Sequence, residues 1–202
     1  MPPFTDTRLY TSKCKWRNFF MRATGIVRRI DDLGRIVIPK EIRRTMRIRE
    51  GDPMEIFTSR EGEILLKKYS PVGELGEFAL ALAESMSQTL GALVCVTDRD
   101  YVIAAAGSGK KEVEGKLLSE ELQNMINQRV NQVCKKDDKS FVKLTKDGNL
   151  EMEKQAIATI LSHGDCIGAV LVLGKEMGTN SDDVMLQVAK SAAGFLGKHM
   201  EQ

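Results

Sequence analysis

The stretch LGRIVIPKEIRR, residues 33–44, joins a short apolar run to a cluster of cations. The apolar run IVI, residues 36–38, ends at Pro39, which cannot donate a backbone hydrogen bond to a sheet but suits the first turn of a helix. The pattern predicts a strand over residues 35–38 and a short helix over residues 40–46. It fits either a buried strand that leads into a solvated helix or a surface that contacts phosphate groups.

Short strands are predicted on both sides of this stretch. The segment TGIVRRI, residues 24–30, is rich in β-branched residues and ends at the turn signal DDLG, residues 31–34. Further on, MEIFTS (54–59) and EILLKKY (63–69) flank a short turn and predict a β-hairpin. Four strands and one helix in about 50 residues bury little apolar area. We therefore expect a dimer whose two chains share one barrel.

Charge is distributed unevenly along the 202 residues. Residues 1–70 contain 16 Lys and Arg against 9 Asp and Glu, a net charge of +7. Residues 71–202 contain 14 against 19, a net charge of −5. This asymmetry indicates that the basic part meets a polyanion while the other part has a separate role.

A second domain is predicted to begin after SPVG, residues 70–73. Its order α-β-β-α-β-β-β-α is typical of an α+β domain built on an antiparallel sheet. The predicted helices cover residues 73–90, 119–134 and 181–200, and the predicted strands cover residues 92–97, 101–107, 140–145, 155–162 and 166–174. We expect Gly91 to end the first helix, Ser181 to cap the last one, and residues 163–165 to form a turn between two strands.

The first and last of these helices each carry one apolar face. The faces consist of Leu75, Phe78, Leu82, Met86 and Leu90 in the first helix and Met185, Val188, Ala192, Phe195 and Leu196 in the last. A face with this spacing packs either on the helix's own sheet or against a partner subunit. The sequence leaves both alternatives open.

The cysteines and histidines exclude several kinds of site. The four cysteines lie far apart without a CxxC pair, at Cys14, Cys95, Cys134 and Cys166. We expect a reducing cytoplasm and no disulfide framework. The chain has only two histidines, so no metal site is expected. The last three cysteines are predicted to be small core residues rather than to line a ligand pocket.

The sequence offers no segment suited to a membrane or to secretion. No apolar run approaches the roughly 18 residues that span a bilayer. Residues 1–20 contain four cations but no hydrophobic region of a secretory signal. They have neither helical nor strand periodicity and are predicted to be a disordered or weakly attached extension; docking of its aromatic residues on the folded part is the alternative.

The loop AAAGSGKK, residues 104–111, has a superficial likeness to a phosphate-binding P-loop. That motif requires Gly at the first position and Ser or Thr at the last, but the chain has Ala104 and Lys111. No pairing of a nucleophile with a base is recognisable either. The sequence therefore predicts that the protein is not an enzyme, with no catalytic residues.

Two family resemblances cover residues 21–202. The segments TGIVRRIDDLGRIVIPKEIRR, IREGDPMEIF and ILLKKY resemble the AbrB-type, swapped-hairpin DNA-binding domain, and the second half resembles a GAF domain. The resemblance implies an all-β barrel made by two chains that exchange hairpins, followed by an α+β GAF-like domain. It also implies DNA contacts by residues of the first strand, the turn and the short helix: Arg28, Arg35, Arg43 and Arg44, assisted by Arg29 and Lys40.

The residue types agree with that role. Arginine suits phosphate because its planar guanidinium group gives two parallel hydrogen bonds and a permanent charge. Arg43 and Arg44 are expected to lie opposite Ile42 and Met46, so that burial of the apolar pair exposes the cations. The alternative is that these arginines have no binding role and are solvated surface residues balanced by nearby acidic residues. The helix has barely two turns, so contacts mainly to the DNA backbone are expected.

The sequence thus predicts a DNA-binding transcription regulator with an extension at 1–20, a DNA-binding domain at 21–70 and a GAF-like domain at 71–202. The combination of domains resembles regulators of late sporulation genes. The expected partners are double-stranded DNA and further copies of the chain, as a dimer through the barrel and a tetramer through the GAF-like domains. No cofactor is predicted, an unidentified small-molecule ligand stays open, and the location is the cytoplasmic nucleoid. The alternative is an oligomeric DNA-binding scaffold without ligand regulation.

Overall fold

The computed structural model describes residues 24–60, 62–148, 150–175 and 181–201. The chain divides into two compact units, which are residues 1–50 and residues 51–202. The predicted extension at residues 1–20 lies outside the described residues. The division between domains near residue 70 stays a prediction.

The first unit contains one helix and a tight turn. Helix α1 covers Lys40–Thr45 and begins directly after Pro39, as predicted. The turn is closed by hydrogen bonds from Gly34 N to Asp31 O and from Asp31 N to Arg35 O, both 3.0 Å. Residues 24–30 and 35–38 have no strand assignment in the described chain. A strand needs a neighbour for its backbone groups, and these segments find none among the described residues of the chain.

The predicted hairpin opens the second unit. Strands β1, Met54–Thr58, and β2, Ile64–Lys68, pair antiparallel with Ile56 opposite Leu66. One face of this hairpin is apolar and open, because Ile56 and Ile64 are 65% and 62% exposed. An isolated two-stranded hairpin is marginal in water, so this face indicates a missing neighbour.

A five-stranded antiparallel sheet forms the centre of the second unit. Its strands are β3 (Leu93–Thr97), β4 (Val102–Ala106), β5 (Gln132–Lys135), β6 (Lys154–Ser162) and β7 (Asp165–Gly174), in the spatial order β4-β3-β7-β6-β5. The two longest strands, β6 and β7, are joined by a turn in which His163 and Gly164 both have positive φ, as a two-residue hairpin turn requires.

Helices cover both faces of this sheet. They are α2 (Pro71–Glu74), α3 (Gly76–Leu90), α4 (Lys110–Val113), α5 (Glu120–Asn127) and α6 (Asp182–His199). Alternate residues of each strand face opposite layers. Val94 and Val172 join the core under α3 and α6, whereas Cys95 and Leu171 join the core under α5. Gly91 ends α3 with a φ of 60°, and Ser181 caps α6 by accepting a hydrogen bond from Val184 N, both as predicted.

The predicted helix over residues 119–134 is wrong in its second half. Helix α5 ends at Asn127, Arg129 adopts the left-handed region with a φ of 59°, and the chain turns back into β5. Met125 O accepts a hydrogen bond from Val130 N, which closes the helix end. Val130 and Val133 beyond that point follow a helical spacing by coincidence, since Val130 lies in the connection and Val133 in the edge strand β5.

The predicted strand over residues 140–145 is also wrong. This segment is a loop, held by a single bridge between Thr145 and Leu118 and by the side chain of Gln155. Gln155 is fully buried, accepts a hydrogen bond from Val142 N and donates one to Val142 O. Strand β5 is therefore the edge strand of the sheet, next to β6. Residues 140–145 form a loop over the face of the sheet and do not add a further strand.

Small residues bring the two long helices close to the sheet. Helix α3 buries Ala79 and Ala83, and α6 buries Ala189, Ala192 and Ala193. The predicted apolar faces are partly buried. The core contains Met86, Leu90, Met185, Ala192 and Leu196, whereas Phe78 and Leu82 are half-buried and Phe195 is 52% exposed. An apolar strip remains on the outer side of the helix pair.

Candidate nucleic-acid interface

The described part of the first unit is strongly basic. Residues 24–50 contain eight Lys and Arg against four Asp and Glu. Five of the six cations predicted to contact DNA are exposed, namely Arg28, Arg29, Arg35, Lys40 and Arg44. An excess of exposed cations over so short a segment produces the positive potential that attracts a polyanion.

The turn at residues 31–35 fixes one of these cations. Asp31 accepts backbone hydrogen bonds from Leu33 N and Arg35 N, and its second oxygen accepts a hydrogen bond from Arg35 Nε at 2.7 Å. These hydrogen bonds from Arg35 lower the pKa of Asp31. The Arg35 side chain nevertheless remains 68% exposed. Asp31 therefore orients this guanidinium group while leaving most of it accessible.

Helix α1 places its cations differently from the prediction. Arg44 is exposed, but Arg43 is half-buried. Met46 is 61% exposed and Ile42 is half-buried, so the single chain does not bury this apolar pair. Burial of Ile42 and Met46 opposite exposed cations would therefore require a surface that the described residues do not supply.

Apolar side chains lie among these cations and are exposed as well. Exposed fractions above 40% occur at seven positions of residues 24–50: Ile26, Val27, Ile30, Leu33, Ile36, Val37 and Met46. Soluble proteins rarely leave so many large apolar side chains together in water unless the patch has a partner. The segment thus combines cations with an uncovered apolar surface.

Sequence reasoning missed a cluster of ion pairs within the second unit. Lys68 at the end of β2 binds Asp52 at 3.0 Å and also binds Asp100. Arg99 binds Asp52 at 3.1 Å and donates a second hydrogen bond, 3.1 Å long, to Asn127. The residues are up to 75 positions apart in the chain, so no local pattern could have joined them.

A small cavity lies beneath the loop over the sheet. It measures about 50 Å³ and is lined mainly by apolar groups, among them Phe141, Leu144, Leu150, Met152 and Leu173. Cys95, Cys134 and Cys166 do not line it. Cys95 and Cys134 are buried and Cys166 is half-buried. Ligand pockets for drug-sized molecules usually measure about 300–1,000 Å³, so this cavity is small for that purpose.

The glycine-rich loop after β4 has structural roles. A Cβ atom on Gly107 would lie 2.6 Å from Ala92 O, so the two backbones approach closely there. Lys175 Nζ donates a hydrogen bond to Ser108 Oγ at 3.0 Å.

Within the described ranges, no helix is long and apolar enough to cross a membrane. Those same ranges contain no group of three or more His, Cys, Asp or Glu residues that could hold a metal ion.

Two families match the chain in succession. The family described as "Stage V sporulation protein T C-terminal, transcription factor" matches residues 74–201. The family described as "Antidote-toxin recognition MazE, bacterial antitoxin" matches residues 27–74. The two matches meet at residue 74.

Curated relatives extend the likeness over most of the sequence. Stage V sporulation protein T of Bacillus subtilis is 50% identical over 182 residues, which are 90% of this chain and 100% of that protein. Transition state regulatory protein AbrB of the same organism is 50% identical over 70 residues, or 32% of this chain and 72% of that protein. The GAF domain of PixJ from Thermosynechococcus elongatus, in its blue-light absorbing form, has a TM-score of 0.50 at 11% identity, and the match covers 66% of this chain and 89% of that structure. The second half therefore has the GAF fold.

Proposed function

We propose a function from one premise: the chain belongs to the stage V sporulation protein T family of transcription factors. Membership makes the protein a DNA-binding transcription regulator and confirms the prediction that it is not an enzyme. We propose further that it acts on late sporulation genes and reads its DNA sites through the basic segment of residues 24–50. The observation that carries this proposal is the excess of exposed cations in that segment.

The proposed contacts come from six cations. They are Arg28, Arg29, Arg35, Lys40, Arg43 and Arg44. Phosphate contacts supply affinity and position, whereas base contacts supply sequence preference. Helix α1 has only six residues, so it is too short to fill a major groove in the manner of a long recognition helix. Backbone contacts and DNA deformability should therefore contribute much of the selectivity.

A dimer is proposed because the apolar surface of this segment needs cover. Residues 24–30 and 35–38 have no strand partners in the part of the chain that the structure describes, and the hairpin β1–β2 has an open apolar face. A second copy that contributes the same extended segments would supply both the missing ladders and the missing core. Such a shared barrel would also bring two sets of cations onto one DNA duplex.

Further assembly is proposed through the outer strip of α3 and α6. Phe78 and Phe195 lie with ring centroids 5.5 Å apart, and His199 stacks on Phe78 at 5.1 Å. Val184 is 46% exposed on the same helix as Phe195. Pairing of two such strips would join two DNA-binding dimers into a tetramer, which raises the effective concentration of the second dimer at a neighbouring site.

The alternative is a DNA-binding scaffold without ligand regulation. The cavity beneath the loop over the sheet, of about 50 Å³, has room only for a very small ligand. Native mass spectrometry of the full-length protein tests this alternative. A co-purifying small molecule of defined mass supports a sensor, and its absence together with a tetramer supports a scaffold.

Salt-dependent binding to a labelled duplex tests the proposed interface. If a dimer neutralises about 6–8 phosphates, the logarithm of the binding constant should fall with the logarithm of the salt concentration with a slope of about −5 to −7. Arg44→Ala should weaken binding and make this slope less steep by about 1 for each phosphate contact that is lost. Fluorescence anisotropy over a range of salt concentrations measures both quantities.

A matched substitution separates this effect from a general loss of charge. Lys110→Ala removes one exposed cation from the second unit, outside the proposed interface. We expect it to leave both affinity and slope close to those of the unmodified protein. A slope near zero for the unmodified protein, or equal losses in Arg44→Ala and Lys110→Ala, would contradict the proposed interface.

A further inference from the structure

The turn between β3 and β4 contacts the hairpin region at three points. Asp100 binds Lys68 at the end of β2, and Arg99 binds Asp52 just before β1. Asp98 accepts a 2.8 Å hydrogen bond from Ser70 Oγ, in the connection between β2 and α2. Three consecutive residues of the GAF-like domain thus hold both ends of the hairpin.

The cluster is rigid because its carboxylates are buried and satisfied. The side chains of Asp52 and Asp100 are only 1% and 4% exposed. A buried carboxylate that loses its cationic partner is strongly disfavoured. In addition, Asp98 accepts hydrogen bonds from the backbone nitrogens of Asp100 and Tyr101, each 2.7 Å long, which fixes the conformation of the turn. The hairpin ends cannot leave this turn without breaking charged pairs.

The same turn is bound to a helix on the far side of the cluster. Arg99 uses one guanidinium nitrogen for Asp52 and another for Asn127, the last residue of α5. Leu122 and Ile126 of α5 are fully buried in the same core cluster as Met152 and Leu173, which line the cavity. A displacement of α5 therefore acts on Arg99, and through Arg99 on the start of the hairpin.

We propose that Arg99 is a coupling residue that transmits the position of α5 to the β1–β2 hairpin. The inference rests on the proposed function, because the hairpin belongs to the segment that resembles the AbrB-type DNA-binding domain. In this mechanism the core around the cavity biases α5, Arg99 carries that bias to Asp52, and the hairpin shifts its preferred orientation. The contacts for this coupling are continuous, because Arg99 donates one hydrogen bond to Asn127 and another to Asp52.

Variants at the two ends of this route test the coupling in the full-length protein. Arg99→Ala removes both contacts, and Asn127→Ala removes only the contact to α5. Hydrogen exchange of the β1 and β2 amides, followed by mass spectrometry, reports local opening of the hairpin. We expect exchange to rise about 5- to 30-fold in Arg99→Ala and about 2- to 10-fold in Asn127→Ala. The double variant should exchange no faster than Arg99→Ala, because both substitutions act through one guanidinium group.

Asn124→Ala is the matched control, since Asn124 is exposed one turn earlier in α5. We expect it to leave the exchange of the hairpin unchanged. If Asn127→Ala behaves like this control while Arg99→Ala loosens the hairpin, the guanidinium group holds the hairpin without any link to α5, and the proposal is overturned. Equal loosening in all three variants would also overturn it.

DNA affinity distinguishes a failure of this proposal from a failure of the proposed function. We expect Arg99→Ala and Asn127→Ala to weaken DNA binding by factors similar to their effects on exchange, at an unchanged salt slope, because no phosphate contact is removed. If the unmodified protein does not bind DNA, the proposed function fails while the exchange experiment still tests the coupling. If it binds DNA and both variants bind equally well, the coupling to the DNA-binding domain is wrong.

Discussion

Apolar side chains are exposed in residues 24–50 and buried in the sheet of the GAF-like domain. Val37 is 71% exposed, whereas Val94, at the centre of that sheet, is fully buried. Both lie in β-branched segments of similar composition. Strand β3, which contains Val94, pairs with β4 and β7, and helices cover both faces of its sheet, whereas residues 24–30 and 35–38 have no strand partner among the described residues. Segments of equal strand propensity therefore form a sheet only where their backbone groups can hydrogen-bond to a neighbouring strand.

The largest effect is expected from adding a charge to the exposed apolar segment, residues 24–50. Ile36 and Val37 lie on opposite sides of an extended chain, so at least one of them should face a partner. We expect Ile36→Asp or Val37→Asp to abolish the dimer and to lower specific DNA affinity by about 1,000-fold or more. Analytical ultracentrifugation and fluorescence anisotropy measure the two losses.

Asn124→Asp provides a control for this substitution at an exposed polar position of α5. It should change neither assembly nor affinity. Wild-type assembly and binding in both apolar variants would show that this segment is not covered by a partner.

Thiol reactivity tests the other side of the comparison, the closed core. Burial raises the pKa of Cys95 to about 12. At pH 8 the reactive thiolate is then scarce in the folded protein, and we expect alkylation of Cys95 to be about 1,000-fold slower than in the unfolded chain. Peptide-resolved mass spectrometry after timed alkylation measures the ratio. A similar rate in folded and unfolded protein would mean that the sheet opens as readily as the first segment does.

A pair of glycines tests how tightly α6 is joined to the sheet. A Cβ atom on Gly197 would lie 2.0 Å from Leu161 O, whereas one on Gly194 meets open space. Gly197→Ala should lower the free energy of unfolding by about 1–3 kcal/mol. Gly194→Ala should raise it by up to about 1 kcal/mol, because alanine favours the helix. Denaturant unfolding measures both, and equal shifts would contradict the close approach of helix and strand.

The smallest expected effect concerns an ion pair at the start of α6. Lys154 Nζ forms an ion pair with Asp182 Oδ1 at 2.8 Å, and the interaction with Lys154 lowers the pKa of Asp182. A lowered native pKa adds stability above the unfolded value and loses it as the pH falls through the native value. Asp182→Asn should therefore be less stable than the unmodified protein at pH 6, by up to about 1 kcal/mol since the pair is partly exposed.

The difference between these two proteins should shrink as the pH falls below 3.8 and through the lowered pKa of Asp182, because the carboxyl group then becomes protonated in the folded protein. Thermal unfolding at several pH values measures it. A difference that is constant from pH 2 to pH 7 would mean that the charge of Asp182 does not contribute.

Much of the GAF-like domain could be predicted from local pattern. The strands β6 and β7, their turn at His163 and Gly164, and the cap at Ser181 follow from periodicity and from turn and capping preferences. The end of α5 could not be predicted in this way, because Arg129 is not a usual residue for the left-handed region. Nor could the loop over residues 140–145, whose position depends on the buried side chain of Gln155.

The candidate DNA-contacting cations were identified from the sequence through a family resemblance, and their contacts stay a prediction. The sequence by itself determined the β1–β2 hairpin, strands β6 and β7 with their turn, the start of α6, which segment is basic and which family the chain resembles, because these depend on neighbouring residues. Only the tertiary structure decided that Asp52, Arg99 and Asn127 meet. Their contact depends on how distant segments pack. Because the carboxylate of Asp52 is buried, loss of its cationic partners would be strongly destabilising.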